Sequence, residues 1–193
     1  MAYKRKDHFY KKAKKEGKAS RAAYKITELQ KRFKLMKKGD TVIDIGCAPG
    51  GWLKEISKIV GPKGNVIGVD TEAVTIQIPK NTTFILGNVM SPDAINQICL
   101  RLLKDADVVV SDLSPKLSGI SFRDAYNSYE LAMRALEICH GLLVENGNFM
   151  VKIFPGEELS QYKKLLKQAF NKVEEVKPKA TRKSSSEIYL IGL

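Results

Sequence analysis

The stretch NFMVKIF (148–154) has the composition of a buried strand, yet Lys152 stands between Val151 and Ile153. Burying an ammonium group is costly unless it is paired and hydrogen-bonded. A lysine kept at such a place suits two tasks: taking a proton from a reacting hydroxyl, or stabilising negative charge that develops on its oxygen. The first task needs burial or a neighbouring cation to favour the neutral amine. A second cluster lies in DIGCAPGGW (44–52), where Gly46, Gly50 and Gly51 permit close backbone approach to a ligand. Position 48 is Ala and Pro49 lacks an amide donor, so this is not the G-x-G-x-x-G turn that cradles a pyrophosphate. A smaller ligand end, carrying a carboxylate and an ammonium, fits the turn better. Asp70, at the end of the next apolar run, is placed to accept hydrogen bonds from both hydroxyls of a ribose. Ser111 and Ser114 have no local histidine, which leaves a hydrolase triad unsupported. His8 and His140 have no metal-ligand company, and no metal site is predicted.

These residues need a frame that gathers them. DTVIDIG (40–46), NVIGVD (65–70), TTFILG (82–87), ADVVVSD (106–112) and NFMVKIF (148–154) are short apolar strand candidates. Helical spacing appears in 20–35, 50–60, 91–103, 123–143 and 156–170, the first opening on Ser20 as N-cap. Strands alternating with helices predict βαβ units and a parallel sheet covered on both faces. The last two strand candidates, KVEEVK (172–177) and SEIYLIGL (186–193), are joined only by a basic loop. That loop is too short for a parallel crossover, so they are expected to be antiparallel neighbours. The expected fold is therefore α/β and Rossmann-like, with a seven-stranded, mostly parallel sheet and an antiparallel last strand. This is the architecture of S-adenosylmethionine-dependent methyltransferases, and the likeness is one of fold pattern alone. In such sheets ligands bind at the carboxyl ends of the strands. The glycine turn, Asp112 and Lys152 all belong to that rim.

A chain of 193 residues, 44% hydrophobic, suits one globular domain. Cys47, Cys99 and Cys139 are an odd, scattered set without a CxxC pair, which argues against a disulfide framework and fits a reducing cytoplasm. No apolar run approaches a membrane span. The charge is uneven. Residues 1–40 hold fifteen Lys/Arg against four Asp/Glu, and the remainder eighteen against seventeen, so the net +12 sits almost wholly in the first part. The domains expected are a basic N-terminal arm, residues 1–19, and a domain over residues 20–193 whose part beyond residue 40 is nearly neutral. Within the arm, Tyr3, Phe9 and Tyr10 interleave with cations, a pattern suited to RNA phosphates and bases. Arg182 and Lys183, in the loop before Glu187, are candidates for further phosphate contacts.

GCAPGGW (46–52), with SRAAYK (20–25), SDLSP (111–115), VKIF (151–154) and SSSEIYL (184–190) in the same order, resembles the FtsJ/RrmJ family of RNA ribose 2′-O-methyltransferases, of the ribosomal RNA large subunit methyltransferase E type. The resemblance runs from about Ser20 to Leu193. It implies methyl transfer from S-adenosyl-L-methionine to a ribose 2′-hydroxyl of RNA, with a uridine of large-subunit ribosomal RNA as the favoured target. Alternatives are a tRNA anticodon loop, a messenger cap, or, outside enzymes, an RNA-binding scaffold. A monomer without membrane attachment is expected.

The family's Lys-Asp-Lys-Glu set around the ribose falls on Lys25, Asp112, Lys152 and Glu187. Asp112 and Glu187 are then expected to hold Lys152, and Lys25 to supply a nearby positive charge. Glu187 begins the last strand, whose antiparallel direction brings its start to the same rim. Lys25 must fold back over that rim from the first helix. Tyr189 lies on the same side as Glu187 by strand alternation, and either positions the ribose or packs. The cofactor residues implied are Gly46, Pro49, Gly50, Gly51, Trp52, Asp70, Asn88 and Asp112, although Trp52 taken by itself fits helix packing better than base stacking. One position departs from the family. Asn88 follows Gly87 where an Asp usually meets the adenine amine, and a neutral acceptor there weakens cofactor binding.

Overall fold

The computed structural model describes residues 22–182 and 184–193. The predicted arm, 1–19, the Ser20 cap and Lys183 lie outside the described residues. Seven strands are described: β1 (Thr41–Ile45), β2 (Asn65–Asp70), β3 (Thr82–Leu86), β4 (Ala106–Ser111), β5 (Leu143–Ile153), β6 (Val173–Val176) and β7 (Ile188–Gly192). They form one sheet in the order β3-β2-β1-β4-β5-β7-β6. The pairs β3·β2, β2·β1, β1·β4 and β4·β5 are parallel, whereas β7 runs antiparallel to both β5 and β6. The strand order reverses between β1 and β4, the switch point at which such sheets bind ligands.

Among the described residues, five helices cover the sheet: α1 (Ala22–Phe33), α2 (Gly51–Val60), α3 (Ala94–Cys99), α4 (Ser121–Leu142) and α5 (Leu159–Ala169). Because side chains alternate across a strand, β4 feeds both faces. Val109 joins the core under α3, α4 and α5, while Val108 and Val110 join the core under α1 and α2. All five β1 residues are buried, as expected of a strand covered on both sides.

Two element boundaries differ from expectation. The helix expected over 91–103 is confined to Ala94–Cys99. Beyond Cys99, Leu100 and Leu103 are 83% and 89% exposed, so no apolar face continues for a helix to bury. The strand expected from Asn148 begins at Leu143, directly after α4. Its pairing with β4 shifts register between Ala106 and Val108, where Asn146 adopts φ 60°. Gly147 belongs to the same bulge: a side chain there would meet Leu143 at 2.7 Å and the Asp107 carbonyl at 3.0 Å. ENGN is thus a bulge within β5.

Candidate active site

Strand register assembles one side of the rim. Ser111 of β4 is paired with Val151 of β5, so the next residues, Asp112 and Lys152, are neighbours. Lys152 is itself paired with Tyr189 of β7, placing both side chains on one face. That face carries α1 and α2. Ile26 and Leu29 bury α1 against the sheet, and Trp52 Nε1 of α2 donates to the Ala22 carbonyl at 2.8 Å. The helix so held points Lys25 inward.

Four charged groups and one phenol form a continuous chain there. Lys25 Nζ lies 2.5 Å from Glu187 Oε1 and donates to the Tyr189 hydroxyl at 3.2 Å. The Tyr189 hydroxyl donates to Asp112 Oδ1 at 2.6 Å. Lys152 Nζ lies 3.1 Å from the same Oδ1 and donates to the Asp112 carbonyl at 2.8 Å. Lys25, Lys152 and Glu187 are all under 10% exposed. Two cations and two anions cancel, so the burial leaves no uncompensated charge. Burial alone would raise Asp112; the Lys152 and Lys25 charges and the Tyr189 hydrogen bond outweigh it and hold its carboxyl below the ordinary value. Burial drives the Tyr189 phenol the other way, well above its usual range, with Asp112 and Glu187 adding to the effect.

The other side of the rim is built from the glycine turn. Gly46 has φ 80°, and a side chain on it would strike the Leu113 backbone at 2.9 Å. Gly50 has φ 105° and caps α2 without any side-chain hydrogen bond. The first amides of a helix have no intrahelical partner and favour an anion. Those of Gly51, Trp52 and Leu53 therefore offer donors at the carboxyl end of β1. Asp70 Oδ2 accepts from the Ala48 amide at 2.8 Å and Oδ1 from Glu72 at 2.9 Å, so Asp70 also shapes the turn. Pro49 is exposed, and its carbonyl accepts from the Thr75 amide at 3.1 Å.

Asp44, just before the turn, is fully buried, and neither carboxylate oxygen has a hydrogen-bond partner among the described residues. Burial, reinforced by the negative charges of Asp112 and Asp70, raises its carboxyl well above the ordinary value. A buried acceptor with no protein donor calls for an external cationic donor. An ammonium group opposite Asp44 and a carboxylate on the α2 amides are the two ends of an amino acid. These residues fit the methionine part of S-adenosyl-L-methionine.

Beside Lys25 and Glu187 opens a cavity of about 590 Å³, whose other walls include Ser114, Phe154, Pro155 and Arg182. None of the glycine-turn residues lines it, and it is large enough for a nucleotide.

Residues 19–193 match the model of the FtsJ-like methyltransferase family. The chain belongs to the FtsJ-like methyltransferase family. A relative from Methanococcus aeolicus, named ribosomal RNA large subunit methyltransferase E, is 44% identical over 186 residues, covering 96% of this chain and 69% of its own length. One of the same name from Desulforapulum autotrophicum is 39% identical, with 97% and 91% covered. Among solved structures, a Plasmodium falciparum protein described as a ribosomal RNA methyltransferase superposes with TM-score 0.79 at 31% identity, covering 90% of this chain and 96% of that one. Aeropyrum pernix fibrillarin, solved with bound S-adenosyl-L-methionine, shares the fold at TM-score 0.61 and 17% identity.

As an FtsJ-like methyltransferase the chain uses S-adenosyl-L-methionine as methyl donor. Lys25, Asp112, Lys152 and Glu187 converge as expected, but the pairing differs in one respect. Glu187 holds Lys25, and Asp112 alone of the two carboxylates holds Lys152, because Glu187 precedes β7 and reaches α1 rather than β5. Tyr189 is fully buried and bridges Lys25 to Asp112 through its hydroxyl, so it packs and carries a polar link. Trp52 is 3% exposed, its ring against Tyr189 at 6.0 Å, so only its backbone amide is available to a ligand. The Asn88 side-chain oxygen, expected to face adenine, accepts from the Met90 amide at 3.0 Å. Asp44 was missed by sequence reasoning, though the signal existed: a charged residue in the apolar strand TVIDI is the same anomaly that marks Lys152.

Proposed function

We propose that this protein methylates a ribose 2′-hydroxyl of large-subunit ribosomal RNA. The carrying observation is the buried, charge-balanced chain Glu187–Lys25–Tyr189–Asp112–Lys152 at the strand rim shared with the glycine turn. S-adenosyl-L-methionine supplies, when bound, an electrophilic methyl group whose leaving group departs neutral. The protein's part is to orient the hydroxyl and take its proton. Two donor positions of Lys152 Nζ are committed to Asp112 Oδ1 and the Asp112 carbonyl. That leaves one position on Nζ for the ribose hydroxyl: an N–H in the charge-balanced resting chain and, once that proton has left to solvent, a lone pair that accepts the ribose proton. Asp112 fixes the direction of that lone pair. Lys25, held by Glu187 at the edge of the cavity, neutralises Glu187 and orients Tyr189. Asp44 and the α2 amides hold the donor's amino-acid end, and Asp70 its ribose. Ribosomal RNA is favoured over transfer RNA or caps by the two relatives' names and their near-complete overlap with this chain.

The test is methyl transfer from labelled donor to separate pools of ribosomal, transfer and messenger RNA, followed by alkaline hydrolysis. A 2′-O-methyl group blocks cleavage at its own phosphodiester. Label in one alkali-resistant dinucleotide of large-subunit RNA is the expected result. Label released as a mononucleotide would place the methyl on a base and end the assignment of Lys152 to a ribose.

A further inference from the structure

Next to the cavity beside Lys25 runs a groove of about 550 Å³ between the start of α4 and residues 155–158. It shares Ser121, Ala125 and Pro155 with that cavity, so the two are continuous. One wall carries Phe122 and Tyr126, one helical turn apart on α4 and 75% and 49% exposed. Large aromatic rings left in water at the mouth of a site mark an interaction surface. Tyr126 does not hang loose. Its ring meets Tyr129 at 6.2 Å, and Tyr129 meets the fully buried Tyr162 edge-on at 6.1 Å, a file of rings leading into the core. The segment before the helix is pinned too: Asp124 Oδ1 accepts from the Ser118 amide at 2.7 Å and Oδ2 from the Gly119 amide at 3.2 Å.

The charges narrow the occupant. The opposite wall carries Glu157 and Glu158, which repel a phosphate, while exposed Arg123, next to Phe122 in the chain, stands on the aromatic side. A groove with rings on one wall and carboxylates on the other suits the body of a nucleobase, with its amino edge toward the acids. The backbone phosphates then run along the basic side.

Resting on the proposed ribose methylation, with the cavity beside Lys25 and Glu187 taking the target nucleotide, we propose that Phe122 and Tyr126 form a stacking platform for an unpaired base next to that nucleotide. The substrate is then single-stranded around the target, because a base inside a duplex has both faces already stacked.

The test uses the full chain and three double variants, Phe122→Ala/Tyr126→Ala, Phe122→Leu/Tyr126→Leu and Phe122→Trp/Tyr126→Trp. Fluorescence anisotropy reads affinity for short single-stranded RNA and for the same RNA in duplex. Stacking predicts a loss of roughly 5- to 100-fold in single-strand affinity for both the Ala and the Leu pairs. The Trp pair retains affinity, duplex affinity is unmoved, and in methyl transfer the KM for RNA rises more than kcat falls. A Leu pair that binds like the wild type would make the surface an apolar contact for protein and overturn the platform, as would an Ala pair with full affinity. A wild-type protein that labels no RNA would defeat the functional reading instead, and the binding measurements would still decide the platform.

Discussion

The two halves of the rim are finished to different degrees. On the β4–β5–β7 side, each charged group of the catalytic chain meets a partner within the protein, and the charges cancel. On the β1–β2 side, Asp44 is buried without a donor and the start of α2 is uncapped. The first half has its partners in place before any substrate arrives, as proton transfer requires of groups that must be aimed. A ligand that brings an ammonium and a carboxylate would complement the second. Catalytic and cofactor defects should therefore separate cleanly by mutation.

The largest effect belongs to the finished half. Lys152→Ala should lower single-turnover methyl transfer by about 10²–10⁴-fold, the weight of a positioned acid–base group, while donor affinity stays near the wild type. Lys152→Arg should not restore it, because guanidinium keeps its proton and has a planar shape. With Lys152 as base, the wild-type rate rises with pH to a plateau. A rate independent of pH, with partial activity in the Arg variant, would make Lys152 a cation that steadies the oxygen.

A smaller loss is expected across the rim. Asp44→Asn should weaken donor binding by about 1–3 kcal/mol, the cost of a lost charge-assisted hydrogen bond, and leave the rate at saturating donor largely intact. Calorimetry in buffers of different ionisation enthalpy adds a sharper sign. Burial makes Asp44 prefer its proton, and a cationic ligand favours the ionised form, so donor binding should release protons. Uptake of protons, or none, would remove the ammonium from Asp44.

The halves also differ in how pH acts on folding. Asp44, raised in the folded protein, binds more protons there than in the unfolded chain. Its contribution falls as pH climbs from the ordinary carboxylate value toward the folded one. Asp112 is lowered by Lys152 and Lys25 against its burial. Its contribution is present above the ordinary value and is lost as pH falls through the folded one. Denaturant titrations across pH should show Asp44→Asn flattening the neutral side of the profile and Asp112→Asn the acid side. The same side flattened by both would mean that the two carboxyls titrate as one unit.

How much of this was legible in sequence follows from the range of each signal. Alternation and apolar runs are local, and they gave the strands, the helices and the antiparallel ending. The glycine turn and Lys152 were visible because residue type clashed with local pattern. Lys25 carried no such signal, being one cation among fifteen in the first forty residues, and its place came only through resemblance. The exchange of partners, Glu187 to Lys25 rather than to Lys152, depends on where α1 settles over the sheet. No local pattern reports that. The bulge in β5 was hidden because Asn-Gly reads as a turn whether it ends a strand or bends one.

The smallest predicted effect concerns Asn88, where the chain departs from its family. The Asn88 oxygen accepts from the Met90 amide, and the residue is exposed at the end of β3. An aspartate has two acceptor oxygens, so Asn88→Asp keeps the bond to Met90 and leaves a charged oxygen for the adenine amine. The gain is offset by solvent exposure and by the neighbouring carboxylate of Asp70, whose carbonyl already accepts from the Gly87 amide at 2.8 Å. A tightening of only about 0.5–1 kcal/mol is expected, confined to adenine-containing ligands and absent for methionine alone. Equal tightening for both would trace the change to the general charge of the rim. No change for either would assign adenine recognition to backbone groups around Asn88 and make the asparagine a turn-former that the cofactor does not sense.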